Sequence, residues 1–143
     1  MKEKNVFKAE FPSRSANEGF ARAAVGAFVS QLDPTMDELG DIKTAVSEAV
    51  TNCIVHAYPD TYGSIRLKVR LSDDGEVEIT VKDRGVGIED VEKAMTPMFT
   101  TGGDDRSGMG FTIIESFMDS LRVKSVPGRG TAVTMKRRIA SRR

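Results

Sequence analysis

The sequence predicts an α+β fold, a two-layer sandwich in which one mostly antiparallel mixed sheet is covered by helices on one face. Three observations predict it. Segments such as 65–71 and 77–81 alternate apolar and polar residues with a period of two, as half-buried strands do. Two longer stretches repeat their apolar residues every three or four positions, the period of a helix packed on one side. Strands also come in hairpin runs with helices between them, whereas a doubly wound parallel sheet needs strand and helix to alternate throughout. At 143 residues the chain holds one well-cored domain, 1–143, and is too short for two ordinary ones.

Residues 6–11 read as the first strand, with Phe7, Ala9 and Phe11 on one side and Lys8 and Glu10 on the other. Pro12-Ser13 stops it. Ser15-Ala16-Asn17-Glu18 has the form of a capping box, in which hydroxyl and carboxylate each satisfy an orphan N–H at a helix start. Helix one then runs to about Leu32, burying Phe20, Ala24, Ala27, Phe28 and Leu32. Thr35 and Glu38 are spaced as a second capping box, opening a helix that reaches about Ala57. Its buried stripe includes Met36, Leu39, Ile42, Val46, Val50 and Cys53. Beside that stripe runs a second line, Asp41, Ala45, Glu48, Asn52 and His56, which places Glu48 and Asn52 one turn apart at the margin of the core. Helix propensity does not call for an asparagine there, where its amide competes with the backbone.

A hairpin follows. Ile65, Leu67, Val69 and Leu71 alternate with Arg66, Lys68 and Arg70, Asp73-Asp74-Gly75 turns the chain, and Val77, Ile79 and Val81 alternate with Glu78 and Lys82. Asp83 ends the second strand. A short acidic helix is expected over 88–94, then a lid at about 95–107 whose Pro97, Gly102-Gly103 and Asp104-Asp105 cannot build a core of their own. Residues 110–118 form a helix with Phe111, Ile114, Phe117 and Met118 inward, and 121–125 and 131–135 close the chain as a hairpin around Pro127-Gly128.

Composition narrows function. Twenty-one basic and twenty-one acidic residues give a net charge of zero, which lacks the electrostatic footprint of a dedicated nucleic-acid binder. The basic ending, Lys136-Arg137-Arg138 and Arg142-Arg143, reads as a solvated tail. A single cysteine, Cys53, makes no internal disulfide and reads as a small core residue. One histidine, His56, makes no metal site and reads as helix-end packing. With no signal peptide and no long apolar run, a soluble, cytoplasmic protein that avoids membranes is expected.

The functional signal is a fixed order of small motifs. Glu48 and Asn52 share a helix face, Asp83-Arg84-Gly85-Val86-Gly87 follows a strand end, and Ser107-Gly108-Met109-Gly110-Phe111 opens a helix after the lid. Gly130-Thr131 comes last. Either glycine pair alone is an ordinary turn signal. Together, glycines that let backbone N–H groups approach a ligand, and a helix start that favours an anion, describe a nucleotide pocket.

These motifs resemble those of the Bergerat-fold ATP-binding superfamily. Residues 47–58 look like its N box, 83–87 and 107–111 like its two glycine boxes, and Gly130-Thr131 like its last element. The resemblance narrows through 17–22, 31–39, 97–101 and Arg106 to the family of sporulation anti-sigma-F factors, and it covers nearly the whole chain. It implies a homodimeric serine kinase that inhibits an RNA polymerase sigma factor and phosphorylates a serine on a small anti-sigma antagonist. ATP or ADP with Mg²⁺ is the implied cofactor. On this resemblance Asp83 reads the adenine amino group, with Thr131 nearby and Gly85 and Gly87 framing the base. Asn52 ligates Mg²⁺, while Thr100, Thr101, Ser107, Gly108, Met109, Gly110 and Phe111 surround the phosphates. Glu48 serves as general base, Arg106 offsets charge on the γ-phosphoryl group, and Glu18 and Arg22 dock the protein partners. A stress-response anti-sigma kinase and a nucleotide-gated sigma-binding module with little turnover are the alternatives. A two-component histidine kinase is disfavoured, because the one histidine lies inside the N box.

Overall fold

Alternation in the middle of the chain builds the centre of the sheet. The computed structural model of the protein describes residues 3–88, Val91 and 110–140. β2 (Ser64–Ser72) and β3 (Glu76–Asp83) pair antiparallel, from Ile65 opposite Asp83 to Leu71 opposite Val77. β1 (Glu3–Pro12) flanks β2, and β5 (Gly130–Arg138) joins β3 to the outer β4 (Ser120–Val126), so the order is β1-β2-β3-β5-β4. Every one of these pairings is antiparallel. Gly75, at φ 89°, closes the β2–β3 turn, where the Ser72 hydroxyl accepts the Glu76 N–H at 2.9 Å and donates to the Asp74 carboxylate.

The sheet's inward face is apolar and covered. Ile65, Leu67, Val69, Val77, Ile79 and Val81 are buried beneath α1 (Ala16–Val29), α2 (Met36–Asn52) and α3 (Gly110–Phe117). Removing such side chains from water stabilises the fold by about 1.5–3 kcal/mol each. α2 packs against both α1 and α3, so its Ile42, Val46 and Val50 lie at the core. Its start is the expected capping box: Thr35 Oγ1 accepts the Glu38 N–H at 3.0 Å, and Glu38 Oε1 accepts the Thr35 N–H at 2.8 Å.

Several expectations are corrected. Ser15 caps nothing, because its backbone is already helical, and the Glu18 carboxylate instead accepts the Ser47 hydroxyl of α2. α1 presents Ala21, Val25, Gly26 and Val29 inward, leaving Phe20 58% exposed. That stripe of small side chains lets α1 lie close to α2, with Gly26 against the Lys43 stem, where the bulky stripe would hold the helices apart. The helix also ends at Val29, giving way to a single 3₁₀ turn (Ser30–Leu32) and a left-handed Asp33. Met36, at the first helical position, points to solvent, and Phe117 at the end of α3 yields the inner position to Met118.

The basic ending is not a free tail over 136–138, which forms the end of β5. Arg137 bridges Asp41 of α2 at 2.8 Å and donates to the Phe117 carbonyl, while Arg138 pairs with Glu76 at 3.1 Å. Alternation sends successive charges to opposite faces, where each meets a carboxylate. Phe7 turns its ring onto Phe28 of α1 at 5.5 Å, and its strand is one edge of the sheet. The expected helix at 88–94 and the lid at 95–107 lie outside the described residues, apart from Ile88 and Val91.

Candidate functional site

Glu48 and Asn52 are both half-buried on α2, one turn apart. The helix does not stop cleanly behind them. Cys53–Ala57 continue as a π-helix, a wider turn that recurs at functional sites and carries His56 off the α-helical line. This turn is tied to the end of β3 and the loop after it: the Ala57 carbonyl accepts the Val86 N–H at 3.0 Å, and the Cys53 thiol donates to Asp83 Oδ2 at 3.5 Å.

Asp83, the last residue of β3, is the best-connected carboxylate at this end of the sheet. Its Oδ1 accepts the Gly85 N–H at 2.9 Å and the Thr131 N–H at 3.2 Å. Burial raises its pKa above the ordinary 3.8, against the lowering influence of the Gly85 N–H, the Cys53 thiol and the Thr131 N–H. The thiol is itself pushed well above 9.0, first by burial and then by the adjacent carboxylate, so Cys53 stays protonated and donating. Because Oδ2 receives only that weak donor among the described residues, it retains capacity for a second hydrogen bond.

The glycines of the first box have a packing origin that their spacing did not reveal. A Cβ on Gly85 would lie 2.1 Å from the Ala57 carbonyl oxygen, and one on Gly87 would lie 2.5 Å from the Val126 carbonyl oxygen. Absent side chains here admit the chain's own backbone, fastening the loop between the π-turn and the β4–β5 turn. Gly128 completes the clamp by donating its N–H to the Val86 carbonyl at 2.7 Å, and Ser125 Oγ accepts the Ile88 N–H at 2.7 Å while bonding Thr131 Oγ1 at 2.8 Å. On the other side, Tyr58 accepts the Arg84 N–H at 2.7 Å and donates to the Ser64 carbonyl at 2.8 Å. Cys53 and Tyr58 lie within the N box but were given no role in the site, and Ser125 carried no motif signal; only its place beside Thr131 could have drawn attention to it.

α3 brings Gly110, from the second glycine box, against Asn52 of the N box. Gly110 is buried against Asn52, such that a Cβ there would sit 3.0 Å from both the oxygen and the nitrogen of the amide. Phe111 is buried beside it. Thr100, Thr101, Arg106, Ser107, Gly108 and Met109 lie outside the described residues. The structure thus brings Glu48, Asn52, Asp83, Gly85, Gly87, Gly110, Phe111 and Thr131 to the helix-covered side and adjoining end of one sheet. Glu18 and Arg22 are elsewhere, on α1. Their ion pair is 3.9 Å long, with Arg22 half-exposed and Glu18 largely occupied by Ser47, the residue preceding Glu48.

A histidine kinase-like ATPase domain family matches residues 11–137. The chain is similar over its full length to an anti-sigma F factor of Caldanaerobacter subterraneus subsp. tengcongensis, with 53% identity over 144 residues covering 100% of both chains. Similarity to the anti-sigma F factor of Clostridium novyi is also 53%, over 139 residues and 96% of each chain. This chain belongs to the anti-sigma F factor family. Among solved structures, a Mycobacterium tuberculosis protein with RsbU and RsbW domains shares the fold at a TM-score of 0.70 and 19% identity, covering 96% of this chain and 33% of that one. The histidine kinase domain of an Erythrobacter litoralis blue-light activated kinase gives 0.59 at 22% identity, over 85% of this chain and 61% of that one. A match to a histidine kinase-like ATPase domain over residues 11–137 implies that the chain binds a nucleotide. No helix among the described residues is long and apolar enough to cross a membrane.

Proposed function

We propose that the protein binds and inhibits an RNA polymerase sigma factor of the sigma-F type, and uses ATP to phosphorylate a serine of a small anti-sigma antagonist. The reading is supported by relatives named anti-sigma F factor at 53% identity over the whole chain. The observation that carries it is Asp83. One of its oxygens is held by two backbone N–H groups while the other keeps acceptor capacity, as selection of an adenine amino group requires.

The chemistry of the residues supports this reading. Asp83 Oδ2 accepts from the adenine amino group, beside Thr131 and within a loop whose shape Gly85 and Gly87 fix. ATP with Mg²⁺ supplies the transferable phosphoryl group. Asn52 would hold the metal through its amide oxygen, a hard donor of the kind Mg²⁺ prefers. Its amide is already confined by Gly110. Glu48, one turn away, receives the proton of the antagonist's serine hydroxyl. Thr100, Thr101 and residues 107–111 surround the phosphates, and Arg106 offsets the charge that develops during transfer. Glu18 and Arg22 form the protein-docking face, and Ser47 couples that face to the helix bearing Glu48. The working form is a cytoplasmic homodimer.

Capture of partners from sporulating cells tests this. With ATP the protein retains a sigma factor, and Arg22→Ala weakens retention by about tenfold, the loss of about 1.4 kcal/mol. Equal capture by parent and Arg22→Ala removes the docking face, and capture of no sigma factor removes the anti-sigma function.

A further inference from the structure

The sheet face opposite the helices is a segregated cationic surface on a chain whose net charge is zero. Cross-strand register builds it. One row runs Lys8, Lys68, Thr80, Thr134, Arg122 across all five strands, and the next runs Glu10, Arg66, Lys82, Ala132, Lys124. Arg66 pairs with Glu10, and Arg70 and Lys136 pair with Glu78. Lys8, Lys68, Lys82, Arg122 and Lys124 have no ion-pair partner among the described residues. Lys8 also stands directly opposite Lys68, a like-charge placement that costs stability unless an anion is present.

Shape selects the anion. The face encloses a concavity of about 790 Å³ whose floor is the small residues Thr80, Thr134 and Ala132. Lys8 and Lys68 on β1 and β2 lie along one side, Arg122 and Lys124 on β4 along the other, and Lys82 on β3 between them. β2 and β4 are three strand spacings apart, about 14 Å, close to the major-groove width of about 12 Å that separates two phosphate strands of a duplex. A protein partner would need an apolar anchor at the centre of its interface. Among the described residues no aromatic side chain lines the concavity, and Leu67, the one large apolar residue along it, is turned into the core at 2% exposure. The absence of aromatics also leaves no platform for stacking single-stranded bases. A second copy docked face to face would bring the same cations against these.

We propose that this face binds the phosphate backbone of double-stranded nucleic acid without reading its sequence. The surface is separate from the nucleotide pocket and does not depend on its assignment. Anisotropy of a labelled DNA duplex of arbitrary sequence tests it. If the five unpaired cations each meet a phosphate, log K falls against log salt with a slope of about −4.5, a loss of about 500-fold between about 50 and about 200 mM salt. The combined variant Lys8→Gln, Arg122→Gln, Lys124→Gln lowers the slope to about −2, while its melting temperature shows that the fold is kept. The proposal is overturned by absence of binding at about 50 mM salt, by an unchanged slope in the triple variant, or by tighter binding of polyglutamate or phosphatidylserine vesicles than of the duplex.

Discussion

Gly85→Ala isolates the packing that shapes the candidate adenine site. Gly85 is not among the glycines at positive φ, so its backbone conformation is open to alanine and any penalty comes from collision. The new Cβ would lie 2.1 Å from the Ala57 carbonyl oxygen, 2.5 Å from its carbon and 2.6 Å from the Ala57 Cβ. All three belong to backbone or a rigid methyl, so no side-chain rotation relieves them. The loop must move out by about 1 Å to restore ordinary contact. That displacement weakens the Val86 N–H bond to Ala57 and the Gly85 N–H bond to Asp83, each worth about 0.5–1.5 kcal/mol, and leaves the Ala57 carbonyl without its partner at a cost of about 1–3 kcal/mol. Restriction of the unfolded chain by alanine offsets about 0.4–1 kcal/mol. The net loss is about 1–5.5 kcal/mol, which at a melting entropy of about 0.3 kcal/mol/K for a chain of this length lowers Tm by about 3–18 °C. Gly40→Ala is the matched control: nothing lies within 4 Å of its added Cβ inside α2, and Tm should rise by about 2–3 °C. Calorimetry on both variants decides the matter. A Gly85→Ala protein that melts at or above the parent's temperature refutes the account of the loop.

Two further outcomes follow from named contacts. Asp83 binds its proton more tightly in the folded chain than in the unfolded one, since burial raises its pKa. Its contribution to stability therefore falls as pH rises from 3.8 through the raised value, and stays at the lower level above it. Asp83→Asn removes that slope, so melting curves should move in the variant's favour as pH rises from 3.8 through the raised value, while ADP binding is lost because an amide N–H₂ replaces an acceptor. Thr35→Ala deletes one half of the capping box and should cost about 1 kcal/mol, or about 3 °C in Tm.

Patterns that depend on one element alone were legible in the sequence. The β2–β3 hairpin, the Thr35 cap and the α2 stripe around Ile42, Val46 and Val50 follow from period and turn chemistry. Selections made between elements were not. Phe20 and Val25 have equal claim to an inward place on helical period, and only close approach to α2 favours Val25. Ser15 and Glu18 have the right spacing for a cap, yet Ser47 lies thirty-two residues beyond Ser15 in the chain and takes the carboxylate. At the site, the motifs placed Asp83, Gly85, Asn52 and Gly110 in sequence and explained Gly85 by close approach to a ligand, but offered no packing reason for it. That reason lies in the π-turn at Cys53–Ala57, which no local preference announces.

The central claim, that Glu48 serves phosphoryl transfer to a protein serine, is tested by one measurement. The protein and its Glu48→Gln variant are each incubated with a small anti-sigma antagonist and ATP labelled on the γ-phosphate. The account predicts label on a serine of the antagonist with the parent, and a loss of about 100-fold or more with Glu48→Gln, while both proteins bind nucleotide alike. Equal labelling by the two proteins, or no label with either, contradicts it.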